Sequence, residues 1–289
     1  MMRLFMLEKL REARGMLDET VRVLRRVGAR HVQQRMPGYT HMQRAMPTTV
    51  GTWLHSYADA LAECVPVLDA TVVQLDCNPL GSAAGFGIAA LPPRRELTTA
   101  ALGFARVQEN PMYCALSRGT FELAFLQALL LPLVLAGRFA ADMLMFTQQE
   151  TAFFSLPDAF VTGSSIMPHK KNYDLFEVMR ATTRAFAARH AQVLHTVAAL
   201  GAGYHRDLQL SKQCVLDGWR MFHSTFAVLA DAAAHLRVHA ERLDAAMSDE
   251  LFATERVYQR VAAGVPFRDA YLAVKRELFQ AAGERAAEL

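Results

Sequence analysis

The sequence predicts an all-α protein: an elongated bundle of long helices with a small helical appendage at its C-terminal end. Three observations predict it. Apolar residues recur in steps of three and four over long stretches, no stretch alternates apolar and polar as a strand would, and polar loops separate the long segments. With 289 residues, 52% of them hydrophobic, the chain can bury a sizeable core.

The elements follow in order. The first residues, to about Val32, read as the end of a long helix. From Thr48, apolar positions at Leu54, Ala58, Leu61, Val65, Leu68, Val72 and Leu75 form the seam of a helix about 40 Å long, with a kink expected at Pro66. A second long segment runs from about Pro111 to Phe146, bent at Pro132. A third begins after Asn172 and carries Leu175, Val178, Met179 and Phe186 on one face, with the small Thr182 between them. A fourth spans about Lys212 to Val238. After about Arg242 the pattern shortens. This divides the chain into a central bundle, residues 1–241, and a partial C-terminal helical domain, residues 242–289. Faces this apolar predict an oligomer, because a lone copy would leave too much of them wet.

Composition excludes several classes. Lys and Arg number 31 against 28 Asp and Glu, a formal net charge of +3. The basic residues are spread rather than clustered, so no nucleic-acid partner is expected. Cys64, Cys77, Cys114 and Cys214 show neither CxxC pairing nor zinc-ligand spacing and read as reduced core thiols of a cytoplasmic protein. The opening MMRLFMLEKLREARGMLDETVRVLRRV is interrupted by charges and is no signal peptide. The most apolar run, Leu123 to Gly137, contains Gln127 and Pro132 and reads as too short to span a bilayer, so no membrane partner is expected.

Four polar loops interrupt the helices: Met36–Thr49, Cys77–Gly87, the stretch GSSIMPHKKNYDLFE from Gly163 to Glu177, and Gly201–Lys212. Taken singly each is an ordinary solvated turn. GSAAGFG lacks the preceding strand and following GK[ST] of a phosphate loop. His235 and His239 lie four apart, but no third metal ligand accompanies them. Together the loops are more specific. In the third, an anion would meet Lys170 or Lys171, the N-terminus of a helix and free backbone N–H groups. Glu177, five residues past Asn172, can orient an imidazole, and His41 is the natural candidate. The fourth loop adds Tyr204, Arg206, Gln209 and Lys212, all suited to carboxylate recognition.

GSSIMPHKKN resembles the GSSxMPxKxN loop of the fumarase/aspartase superfamily at Ser164, Ser165, Met167, Pro168, Lys170 and Asn172. Within it, MPGYTHMQRAMP, PLGSAAGFG, LPDAFVTGSSIMPHKKN, YHRDLQLSK and GVPFRDAY are similar to motifs of the argininosuccinate lyase family, which includes the lens protein δ-crystallin. The resemblance covers nearly the whole chain. It implies a homotetramer with active sites shared between chains, and anti β-elimination from an N-succinyl substrate to fumarate and an amine, arginine in the leading case. Carried over, Ser164 is the base for the Cβ proton, chosen over Ser165 by its place in the motif. Lys170, Asn172 and loop amides hold the aci-carboxylate, and His41 braced by Glu177 serves the leaving nitrogen. Thr40, Tyr204, Gln209 and Lys212 match substrate-binding positions, and Arg206 and Ser165 join them as candidates. The chemistry calls for no cofactor and no metal.

Departures accompany the match. The family's SRND-type carboxylate-binding motif does not occur, and the C-terminal domain stops soon after GVPFRDAY. Tyr173 stands for the family's proline and His205 for its asparagine, and Leu210, Ser211 and Gln213 change the surroundings of Lys212. These leave open impaired elimination from argininosuccinate, a lyase for another N-(1,2-dicarboxyethyl) amine, and a non-catalytic δ-crystallin-like structural oligomer.

Overall fold

The computed structural model describes residues 1–281. Helix α1 (Met2–Arg30) buries Met6, Leu10, Ala13, Leu17, Leu24 and Val27. That three-and-four stripe faces the core for the whole 29-residue helix, about 43 Å at 1.5 Å per residue. A hairpin follows, β1 (Arg35–Thr40) antiparallel to β2 (Gln43–Thr49). The sequence predicted no strand here, and the reason is chemical: Pro37 and Pro47 lie opposite each other in the ladder. Prolines argue against a strand except where, as here, two strands stand alone and both are edges.

The long helix expected from Thr48 is two helices, α2 (Val50–Ala62) and α3 (Val65–Leu75). Thr49 caps the first by accepting from the Thr52 N–H at 3.0 Å. Pro66 sits in the first turn of the second, where its missing N–H costs nothing. The proline therefore starts a helix instead of kinking one. A short parallel pair, β3 (Cys77–Asn78) with β4 (Arg106–Val107), brackets α4 (Arg95–Leu102), which the periodicity did not reveal.

The segment expected from Pro111 also divides, into α5 (Pro111–Leu116) and α6 (Thr120–Thr147). Gly119 separates them with φ +80, and a Cβ there would overlap Val197 and Leu208. Helix α6 continues through Pro132 for 28 residues, so it is long and apolar enough to cross a bilayer, which corrects the length argument from sequence. Half of its most apolar window is buried, as in a core helix. It packs against α7 (Asp174–Val197), which follows the strand β5 (Phe154–Ser155) and the third loop. Helix α8 (Ser211–Ala234) packs on α1, α6 and α7. Phe125, Phe139, Phe176, Phe186, Phe222 and Phe226 fill the space between these helices. All four cysteines are buried and unpaired.

Strand β6 (Arg237–Val238) pairs with β5 and leads into α9 (Ala240–Ala245), whose Leu243 still belongs to the main core. Helices α10 (Ala253–Ala262) and α11 (Phe267–Ala281) instead bury Val257, Ala270 and Val274 in a small cluster of their own.

Candidate active site

The third loop is a closed structure. Thr162 and Asn172 exchange backbone hydrogen bonds of 3.0 and 2.9 Å, pinching off the nine residues between them. Inside it, Ser164 Oγ accepts from the backbone N–H of Met167 at 3.0 Å and of Ile166 at 3.3 Å. Hydrogen-bond donors aimed at a hydroxyl oxygen stabilise its deprotonated form, which is what a serine needs to act as a base. Asn172 Nδ2 reaches back to the Gly163 carbonyl at 3.4 Å. Ser165 and Lys170 are exposed on the same loop.

The two lysines have different employment. Lys171 Nζ pairs with Asp158 Oδ1 at 2.6 Å, which holds the Asp158 carboxyl below its ordinary range and the Lys171 ammonium above. Lys170 has no ion pair among the described residues. Glu177 is exposed in the first turn of α7.

Thr40 and His41 lie at the turn of the hairpin. His41 and Met42 both take positive φ, 51° and 62°, the two-residue turn that matches strand twist but strains a side chain larger than glycine. Arg44 and Gln34 tie the hairpin to α9 through the Ala246 carbonyl and Asp244. Beneath it Tyr39 packs on Phe146, and Trp53 stacks on Phe139 and Phe154. Trp53 and Tyr57 both donate to Asp142 Oδ2, at 2.9 and 2.7 Å. This puts the hairpin at the end of the bundle where α6 finishes and α7 begins.

The fourth loop lies at the other end. Gln209 Nε2 donates to the Tyr204 hydroxyl at 2.9 Å, and Lys212 Nζ donates to Gln209 Oε1 at 2.7 Å, a relay along one edge. Arg206 begins the short 3-10 turn that carries Gln209. His205 Nε2 lies 3.2 Å from the Gly201 carbonyl. Tyr204 shares a cavity of about 430 Å³ with Ser82, Ala84 and Gly85 of the second loop, and with Arg3, Arg118 and Glu122. Arg118, which no sequence pattern marked, stacks over the Tyr204 ring at 4.4 Å. With Gln209 it holds the phenol below its ordinary range.

One chain thus sorts the candidates into two groups. His41, Thr40, Ser164, Ser165, Lys170, Asn172 and Glu177 belong to one end, and Tyr204, Arg206, Gln209 and Lys212 to the other. Helix α7 joins them, and its 24 residues span about 36 Å. Within the chain no hydrogen bond or ion pair links His41 to Glu177 or Ser164 among the described residues. His235 turns to Asp231, and His239 lies 2.7 Å from Ser155, so those two histidines face different partners. No group of three metal-ligating side chains gathers among the described residues.

Comparison with known proteins places the chain among lyases. An argininosuccinate lyase of Xanthomonas campestris pv. campestris (strain B100) is 40% identical over 271 residues, 94% of this chain and 62% of that protein. An argininosuccinate lyase of Xylella fastidiosa (strain Temecula1) is 42% identical over 253 residues, 88% of this chain and 56% of its own length. This chain therefore spans about three fifths of the curated relatives it matches. A crystal structure of EDDS lyase in complex with formate superposes with a TM-score of 0.86, at 22% identity, over 99% of this chain and 57% of that one; it shows the fold alone. The family model described as Lyase matches residues 1–186, and the chain belongs to that lyase family.

Proposed function

We propose that the protein catalyses argininosuccinate lyase-type β-elimination, a carbon–nitrogen bond cleavage giving fumarate and arginine. The observation that carries this reading is the closed third loop, which aims two backbone N–H groups at Ser164 Oγ. Ser164 takes the Cβ proton of the succinyl group, the Cα–N bond breaks, and the electron pair of the former C–H bond becomes the new double bond. Charge building on the succinyl carboxylate is met by Lys170, Asn172 and the loop amides, which act without reorganising. His41, oriented by Glu177, delivers a proton to the departing nitrogen. Thr40, Ser165, Tyr204, Arg206, Gln209 and Lys212 hold the substrate. The similarity to curated argininosuccinate lyases supports arginine as the amine, and four buried, unpaired cysteines support a cytoplasmic setting.

The 36 Å between the two groups of residues argues that a complete site is built from several chains. Exposed apolar side chains on the long helices, Leu131 and Val134 on α6, Val178 and Leu194 on α7, and Val228 on α8, supply surface for such an assembly. A homotetramer with sites shared between chains meets both needs. The cluster under α10 and α11 supports reading residues 242–289 as part of a second helical domain.

The test is direct. Purified protein incubated with argininosuccinate should produce fumarate, followed by its ultraviolet absorbance. Fumarate only from another N-succinyl amine would move the assignment to that substrate. A well-folded oligomer that turns over none would leave a structural role.

A further inference from the structure

Arg95, the first residue of α4, donates to four backbone carbonyls. Its Nε reaches the Leu80 carbonyl at 2.9 Å and its Nη2 that of Asn78 at 3.1 Å, both at the entry to the second loop. Nη2 also reaches the Gln108 carbonyl at 2.8 Å, and Nη1 that of Glu109 at 3.1 Å, in the segment that leads into α5. One planar fork thus fastens the loop to the chain before α5. Asn78, fully buried, reinforces the joint. Its Nδ2 donates to the Thr98 and Thr99 hydroxyls, both at 2.9 Å, and its Oδ1 accepts from the Leu80 N–H at 3.0 Å. Past this joint the backbone is strained. Ala83 and Ala84 hold φ of 46° and 58°, a conformation that a side chain keeps only where the surroundings impose it. The loop is also pressed from two sides: a Cβ would lie 3.1 Å from Arg95 Cγ at Gly81, and 3.1 Å from Ala115 Cβ at Gly85. Between those contacts Ser82 brings a hydroxyl into the wall of the cavity shared with Tyr204.

We propose that Arg95 is a positioning residue: it fixes the second loop so that Ser82 stands in the substrate cavity and, with Tyr204, holds the substrate. The inference rests on the elimination proposed above, in which Tyr204 binds substrate. Arg95 is not itself part of the cavity wall, so its influence passes through the loop. Four carbonyls answer one guanidinium, and a lysine ammonium on its flexible stem cannot match that fork. Without the fork, Ala83 and Ala84 are released from the left-handed region, and Ser82 leaves the wall with them. The lost contact is one made alike in substrate and transition state, so the loss falls on KM and not on kcat. A general loosening of the fold would instead reduce the fraction of active protein, lowering the apparent kcat and leaving KM alone.

Two measurements test this: steady-state fumarate kinetics with argininosuccinate, and hydrogen exchange of the Gly85, Phe86 and Gly87 amides, which bond the Ser82 and Ala83 carbonyls. Arg95→Met should raise KM roughly tenfold with kcat within about threefold of wild type, and Arg95→Lys should recover part of the loss. Exchange of the three amides should quicken roughly tenfold in Arg95→Met. Arg106 supplies the control, since it donates to the Val73, Gln74 and Asp76 carbonyls at the end of α3; Arg106→Met should change neither readout. Ser82→Ala should raise KM to a similar degree, and adding Arg95→Met should raise it little further, because both act at one point. Ser82→Ala leaves the joint intact and decides the matter even if Arg95→Met does not fold. An unchanged KM in Ser82→Ala, unchanged exchange in folded Arg95→Met, fully additive effects in the double variant, or a loss confined to kcat would overturn the inference. Fumarate release with the KM of every variant at the wild-type value keeps the elimination and loses the role of Arg95. Protein that yields no fumarate yet shows the exchange difference loses the elimination, and the substrate role of Ser82 with it, while the joint itself stands.

Discussion

The Met167 N–H lies 3.0 Å from Ser164 Oγ, three residues back in the same closed loop. The hydroxyl is therefore held by the backbone before any substrate arrives, and the donor that fixes its position also favours its alkoxide. Ile166 adds a second, longer bond of 3.3 Å.

The adjacent lysines should separate in function. Lys170→Met removes the unpaired cation and should lower kcat about 100-fold or more, as loss of one preorganised charge-stabilising group does. Lys171→Met breaks an exposed, solvent-screened pair with Asp158 and should leave kcat within a few-fold. Steady-state fumarate kinetics on the two variants checks this.

Two inactive variants should rescue each other. Ser164→Ala disables one end of the bundle and Lys212→Met the other. If each site draws those ends from different chains, co-refolding the pair in equal amounts should restore about one quarter of wild-type activity by random assortment. Failure to regain activity in mixed oligomers would place both residues of a site in one chain.

Gly119→Ala should destabilise the bundle by about 2–4 kcal/mol, because φ is +80 and the new methyl overlaps Val197 and Leu208. Urea midpoints at fixed pH measure it. The loss should exceed that of Gly15→Ala, where a Cβ meets nothing within 4 Å.

Stability should fall on mild acidification. Burial lowers the pKa of His190, whose Nε2 is enclosed without a partner, and burial with nearby Arg30 lowers that of His31. Each histidine then binds a proton more readily unfolded than folded as pH drops through the ordinary value of 6.5, so stability rises with pH across that window. Urea midpoints should be lower at pH 5.5 than at 7.5, and His190→Gln should flatten the difference.

How much was legible depends on what each feature rests on. The long helices were readable because their burial is periodic; the Met6-to-Val27 stripe of α1 is that period made visible. The third loop was readable because GSSIMPHKKN is long and ordered. The hairpin was hidden by Pro37 and Pro47, and by a turn that places His41 and Met42 where glycine or asparagine would signal it. The helix breaks at 63–64 and 117–119 were hidden because apolar spacing continues across them. Arg118 was hidden most deeply, since its meaning comes from Tyr204, 86 positions later, landing beneath it.

Ser164 is the base of the proposed elimination from argininosuccinate. The most direct test is the initial rate of fumarate formation in wild type, Ser164→Ala and Ser165→Ala, at saturating argininosuccinate. Measurable wild-type turnover is expected, with a loss of about 1,000-fold or more in Ser164→Ala and a rate within about tenfold of wild type in Ser165→Ala. Ser164→Ala retaining the wild-type rate, or Ser165→Ala alone abolishing it, would contradict it.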